Sequence, residues 1–408
     1  MATPETSDFS LFDRHCMALA LKLAAKGAGF TSPNPMVGAV VVQQGQIVGR
    51  GYHRRYGAPH AEVEALRQAG EQAQGATLYV TLEPCNHHGM TPPCTEAVLG
   101  AGISRVVIAN PDPNPQVTGG GAAYLQEKGL QVEMGLLAEA GEKLNEAFFK
   151  AVITGRPLVV AKAAASLDGK IATHTNDSHW ITSPAARAWV HRLRHRLDAI
   201  LVGVGTVLAD DPQLTTRLPR GQGQDPIRII LDSRLRLPLT AQVLSLASPA
   251  PTWIACTEAA SPSKRQALEE LGVECLVLPS REGRVHLEAL LTLLGRRRLQ
   301  SLLVEGGAEV HGAFFDADLI DKFHLFLAPK FIGGRRAPGI FGGQGIARLT
   351  AAPQVRDLTI QRLGPDILIS GYLKKVGANA WQGESQPPRP SPKTPFPTPP
   401  EGNSFAKR

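Results

Sequence analysis

Apolar positions along the 408-residue chain switch between two periods, and the switching predicts the architecture. Cys16, Leu19, Ala20 and Leu23 recur at helical spacing until Gly27 and Gly29 stop the turn. An apolar, β-branched run at 37–42 predicts a buried strand, and Gln44-Gly45 turns it into a hairpin with Ile47-Val48. A helix over about 61–69, a strand at 77–81, a helix after Cys94 and a strand at 105–109 follow. The stretch 141–155 reads as one helix ending at Thr154-Gly155-Arg156-Pro157, a natural boundary. The pattern then restarts with a strand at 158–163 and an amphipathic helix at 184–197. Further strands are predicted at 199–204, 227–231, 252–255, 274–278, 301–304, 323–328 and 367–373. Strands interleaved with helices in both halves predict α/β layers.

The periodicity vanishes at Val376, where a Pro-rich segment begins (Pro387, Pro388, Pro390, Pro392 and beyond) that cannot bury a core and reads as a disordered tail. The expected division is therefore 1–152, 157–375 and the tail 376–408. Hydrophobic residues at 43% and charged residues at 19% supply full cores. No apolar run approaches the roughly 18–20 residues that span a bilayer. Residues 1–10 carry acids and no Lys or Arg, unlike a targeting leader, so a cytoplasmic protein without membrane partners is expected. Five cysteines are too few for a secreted disulfide framework. The net charge of +7 suits phosphorylated ligands, but it is spread along the chain, with no basic arm for nucleic acid.

Chemistry concentrates at Pro59-His60-Ala61-Glu62, Glu83-Pro84-Cys85 and Cys94. One imidazole and two thiolates form a set that Zn²⁺ favours, and three protein ligands leave a fourth tetrahedral position open for water. Glu62, two residues past the histidine, is placed to shuttle protons without being a ligand. His60 and Cys85 are expected at helix N-termini, where the dipole favours a thiolate. The set follows the zinc-deaminase signature, with eight residues instead of two between the cysteines. The alternative makes His60 a cap and the cysteines core residues; Cys16, Cys256 and Cys275 read that way. Glu64 reads as a solvated helix residue, and His87 and His88 as loop residues.

These residues, with Pro33-Asn34-Pro35-Met36-Val37-Gly38 and Thr91-Pro92-Pro93-Cys94, resemble the deaminase half of the bifunctional riboflavin-biosynthesis family known as RibD. The resemblance continues through Lys162, Ser166-Leu167-Asp168-Gly169, Trp180-Ile181-Thr182-Ser183, Gly205-Thr206-Val207-Leu208-Ala209-Asp210-Asp211-Pro212 and Glu305-Gly306-Gly307, and covers about 9–375. It implies a cytidine-deaminase-like three-layer domain followed by a dihydrofolate-reductase-like α/β domain. The first would remove the 2-amino group of a diaminopyrimidinone ribosylamino 5′-phosphate; the second would reduce the ribosyl group to ribityl with NADPH. His60, Cys85 and Cys94 would hold zinc, Glu62 would be catalytic, and Asn34 would contact substrate. Homo-oligomers are common in the family.

In the second half no G-x-G-x-x-G follows a strand, so a Rossmann site is not expected. Glu305-Gly306-Gly307 instead ends a strand and opens a helix whose free N–H groups suit a cofactor phosphate. By periodicity Arg192, Arg194 and Arg196 form a solvated basic face. The resemblance singles out Arg194, with Arg217, for the substrate phosphate, a task that suits a guanidinium fork. It also implies substrate positions at Lys162, Ser178, Leu214 and Glu305. NADPH contacts are implied at Ala164, Trp180, Thr206, Asp210, Ser233, Gly307, Ala308, Glu309, Val310, His311, Gly312 and Ala313. For the reduction, Asp168, Glu305 or water can supply the proton.

Met90 and Gly120 stand where the family usually carries basic residues, which weakens the expected grip on substrate phosphate in the deaminase half. Three readings compete: a bifunctional enzyme, a reductase with an impaired deaminase, and a nucleic-acid base deaminase. At 5% aromatic residues the last lacks a stacking groove.

Overall fold

The computed structural model describes residues 9–88, 92–114, 120–221 and 223–374. The Pro-rich segment, Met90 and Val117-Thr118-Gly119 lie outside them.

The first unit opens with α1 (Leu11–Ala24), capped reciprocally by Ser10 and Asp13. The hairpin β1 (Gly38–Gln43) and β2 (Gln46–Tyr52) leads to α2 (Ala61–Ala69) and β3 (Thr77–Leu82). Then come α3 (Cys94–Gly100), β4 (Arg105–Asn110), α4 (Gly121–Glu127), β5 (Gln131–Met134) and α5 (Ala138–Leu144). The sheet order is β2-β1-β3-β4-β5; β1 is antiparallel to both neighbours, and β3, β4 and β5 run parallel. Ala39, Val41, Leu78 and Val80 pack against α2 and α3, while Val40, Val42 and Tyr79 pack against α1. Alternation along one strand thus serves two apolar faces and yields three layers.

The expected single helix at 141–155 is two: α5 ends at Leu144 and α6 (Glu146–Thr154) begins after Asn145. Asn145 leaves helical geometry (φ −108°, ψ 24°) because its carboxamide is engaged elsewhere. The Met36 N–H donates to Asn145 Oδ1 (2.8 Å), and Asn145 Nδ2 donates to Met36 O (2.9 Å). The break lets α6 turn Phe148, Phe149 and Ile153 into the core of the second unit.

That unit starts with β6 (Leu158–Ser166), α7 (Pro184–Arg196), β7 (Ala199–Gly203) and α8 (Val204–Asp210). Ser183 caps α7 ahead of Pro184, and Val204, expected to end a strand, begins α8. Next are β8 (Ile227–Leu231), β9 (Thr252–Cys256), α9 (Pro262–Glu270), β10 (Glu274–Val277) and a short hairpin, β11 (Ser280–Arg281) with β12 (Arg284–Val285). The chain continues through α10 (Leu287–Arg296), β13 (Ser301–Val304), α11 (Ala308–Asp316), β14 (Lys322–Ala328), β15 (Arg356–Leu363) and β16 (Asp366–Tyr372). The nine-stranded sheet has the order β10-β9-β8-β7-β13-β6-β14-β16-β15, parallel through β14 and antiparallel beyond it. Apolar residues fill both faces. No helix of the described residues is long and apolar enough to cross a membrane.

The units meet through buried polar contacts as well as through α6. Lys150 and Asp321, both nearly inaccessible, pair at 2.5 Å, and Asp321 also accepts the Val159 N–H. Gln300 Nε2 donates to Pro33 O at 2.6 Å.

Candidate active sites

In the first unit His60 is the N-cap residue of α2, held extended at φ −72° and ψ 164°. Cys94 opens α3. Cys85, expected at a helix start, lies in the irregular segment after β3, because Pro92 and Pro93 delay the helix to Cys94. The helix amide reaches it through space: the Cys94 N–H donates to Cys85 Sγ at 3.3 Å. His60 Nδ1 is 3.1 Å from Cys94 Sγ and 3.6 Å from Cys85 Sγ. One donor atom from each of the three lies within 4.8 Å of the others.

Glu62, in the first turn of α2, is 3% exposed, and its Oε2 has no hydrogen-bond partner among the described residues. Burial, then the Cys85 sulfur, pushes its carboxyl up to about 7. Of the two sulfurs, Cys85 is drawn down, first by the hydrogen bond from Cys94, and Cys94 is pushed up by the same bond and by burial. Three converging N and S donors beside an orphaned buried carboxylate oxygen fit zinc, with Glu62 outside the ligand set.

Two supports escaped the sequence reading. His53 is buried behind His60, edge-on at 5.4 Å. Pro59 O can only accept from its Nδ1 (3.1 Å), so His53 Nε2 is left to accept from Asn34 Nδ2 at 3.2 Å. Asn34 is thereby tied to the site through His53. Glu83 accepts the N–H groups of Asp112 (3.1 Å) and Ala122 (2.9 Å), holding the residues after β4 and the start of α4 beside Cys85. A Cβ on Gly121 would stand 1.9 Å from Pro84 O, so the close approach of the α4 start requires glycine. His53 sits between the end of β2 and the polar pair Arg54-Arg55, a context that carries no burial signal.

In the second unit Glu305 follows β13 and holds two cations. Arg194 Nε and Nη2 donate to its two oxygens at 2.9 and 3.1 Å, and Lys162 Nζ donates at 3.3 Å. Burial opposes ionisation of Glu305, but Arg194 and Lys162 outweigh it and hold the carboxyl at about 2. Arg194 Nη1 donates to Thr215 O, and Arg217 Nη1 to Thr215 Oγ1. Asp168 is also held low, at about 2, by the Ser166 hydroxyl and the amides of Ile332 and Gly333. Both carboxyls considered as proton donors are therefore ionised at neutral pH. At the start of α11 the amides of Gly306, Gly307, Ala308 and Glu309 have no partner among the described residues, and open space faces Gly307.

Comparison with known proteins gives the family. A profile described as the RibD C-terminal domain matches residues 157–369, and one for the cytidine and deoxycytidylate deaminase zinc-binding region matches 11–110. The riboflavin biosynthesis protein RibD of Bacillus amyloliquefaciens is 47% identical over 362 residues, covering 89% of this chain and 96% of its own. The chain belongs to the RibD family. Its counterpart from Escherichia coli K12 is 44% identical, over 88% of this chain and 98% of that one. Acinetobacter baumannii RibD superposes with a TM-score of 0.81 at 40% identity, over 88% of this chain and 98% of that one. The Thermotoga maritima deaminase/reductase superposes with 0.78 at 37% identity, over the same shares. The chain is thus a bifunctional riboflavin-biosynthesis enzyme with a cytidine-deaminase-like zinc-binding domain and a reductase domain.

Within this RibD fold the expected reductase contacts scatter. Lys162, Arg194 and Glu305 form one ion cluster, and Arg217 joins it through Thr215. Leu214 has its side chain in the core and a left-handed backbone, φ 56°. Ala164 sits mid-strand on β6, Thr206 and Asp210 lie on α8, and the Ser233 hydroxyl accepts the Val285 N–H. Ser178 is half-buried and Trp180 exposed; Arg187 stacks 4.6 Å over the Trp180 ring. On α11, Glu309 is exposed and pairs with Arg284, while His311 and Gly312 are buried and Val310 and Ala313 half-buried. His311 Nε2 bonds Val304 O, and Gly312 packs on Gly342.

Proposed function

We propose that the first domain deaminates the 2-amino group of 2,5-diamino-6-ribosylamino-4(3H)-pyrimidinone 5′-phosphate, and that the second reduces the deaminated product with NADPH to its ribitylamino form. The observation that carries this reading is the pair of constellations on one chain: the His60, Cys85 and Cys94 donors beside the unpartnered Glu62 oxygen, and the Lys162–Glu305–Arg194 cluster beside the α11 start. His60, Cys85 and Cys94 would hold zinc, which when bound supplies Lewis acidity and lowers the pKa of water. Glu62 takes and returns the proton at Oε2, and Asn34, braced by His53, orients the pyrimidine ring. In the reductase, Arg217 and the remaining N–H groups of Arg194 bind the substrate phosphate, and Ser178 and Leu214 flank it. Lys162 and Glu305 position the ribosyl chain. NADPH, when bound, supplies the hydride; the open amides of Gly307, Ala308 and Glu309 suit its phosphate, with Ala164, Trp180, Thr206, Asp210, Ser233, Val310, His311, Gly312 and Ala313 around it.

The domain division at 152–157, with α6 as the bridging helix, a cytoplasmic location and the lack of nucleic-acid or membrane partners belong to the same proposal. So does a homo-oligomer: the edge strand β15 exposes Leu358 and Ile360, an apolar edge that a second copy can pair with. The test supplies purified, zinc-loaded protein with the diaminopyrimidinone substrate and NADPH while ammonia and NADPH absorbance are followed together. Ammonia release followed by NADPH oxidation supports the reading. NADPH oxidation only when the deaminated intermediate is supplied would assign the chain a silent deaminase. Neither signal from either compound would overturn both assignments.

A further inference from the structure

Between the two domains, at the N-terminal ends of β6 and β13, lies a cavity of about 560 Å³ that shares only Asn34 with the two candidate active sites. That volume is ordinary for a small-molecule site. One wall comes from the first domain and α6, including Asn34, Met36 and Phe148; the other comes from Leu158, Val160 and the α7 residues Trp189, Arg192 and Arg196. Among the ionisable groups that line it, Lys143, Arg192, Arg196 and Lys322 outnumber Glu146 and Asp198. Glu146 pairs with Lys322 at 2.6 Å, and Asp198 accepts the amides of Gln300 and Ser301. Lys143 is held by Glu139 and Asp357. Arg192 and Arg196 are exposed and have no acceptor among the described residues. One turn apart on α7, they form an adjacent pair, and Trp189 lies on the same helix face.

We propose that this cavity binds a flat heterocycle carrying a phosphate ester, with Arg192 and Arg196 on the phosphate and Trp189 with the apolar wall against the ring. Two neighbouring guanidinium forks match phosphate oxygens, and an aromatic face matches a conjugated ring. Its occupant touches both halves of the enzyme. Asn34 lines one wall, and α7, which carries Arg194, forms the other.

Isothermal titration of full-length, zinc-loaded protein with riboflavin 5′-phosphate tests this, with NADPH saturating so that the reductase cofactor site is filled. One site per chain is expected, weakened roughly tenfold or more in the Arg192→Ala/Arg196→Ala variant, with riboflavin lacking the phosphate weak in both proteins. Both arginines are exposed, so the variant should melt like the parent. No saturable heat up to roughly millimolar ligand, or equal affinity in the variant, would overturn the proposal.

Discussion

The Glu305 side chain, 7% exposed, lies between two cations, and its replacement by Gln should cost the reductase domain stability that depends on pH in a defined way. The carboxyl falls from an ordinary 4.5 to about 2 in the fold. A depression of that size corresponds to roughly 3 kcal/mol of stabilisation by the ionised form, in the range expected when a buried ion pair loses one partner. Because the folded value lies below the unfolded one, the stabilisation is fully present above about 4.5 and is lost as pH falls toward about 2. By pH 3.5 roughly 1 kcal/mol or more of it should be gone. Urea unfolding of wild type and Glu305→Gln, followed on the reductase transition at pH 7, 5, 4 and 3.5, measures the gap directly. The gap should hold between pH 7 and 5 and narrow below. A gap as wide at pH 3.5 as at pH 7, or one under about 1 kcal/mol throughout, would refute the reasoning.

The deaminase half offers sharper separations. Glu62→Gln should keep its zinc by atomic absorption and lose roughly 10²- to 10⁴-fold in ammonia release, with reduction of the deaminated intermediate unchanged. Chelation of the metal should abolish ammonia release and spare NADPH oxidation; loss of both would make zinc structural for the whole chain. Gly121→Ala forces its Cβ against Pro84 O and should lower zinc content below one per chain, read in the same assay. Lys150→Met leaves Asp321 buried without its cation and should cost about 3–5 kcal/mol in a urea melt, much of which Lys150→Met/Asp321→Asn should recover.

Most of the strands, the α2 start and the metal-binding residue types were legible because each depends on near neighbours. Burial of one face writes a period of two or 3.6 into the chain, and His60-Ala61-Glu62 places a donor and a carboxylate on one helical turn. What escaped was decided by partners far along the chain. Asn145 breaks a helix that its local pattern would continue, because it bonds the Met36 backbone. Arg194 shares its local pattern with Arg192 and Arg196, yet it alone finds Glu305, since the crossover from β6 through α7 to β7 brings that helix over the end of β13. β15 alternates Leu358 and Ile360 with Thr359 and Gln361 only briefly between charged residues, and, exposed on both faces, it is a strand because β16 supplies its hydrogen bonds. Solvent exclusion is recorded residue by residue, whereas the pairing of charges and of strand edges depends on which elements the fold makes neighbours.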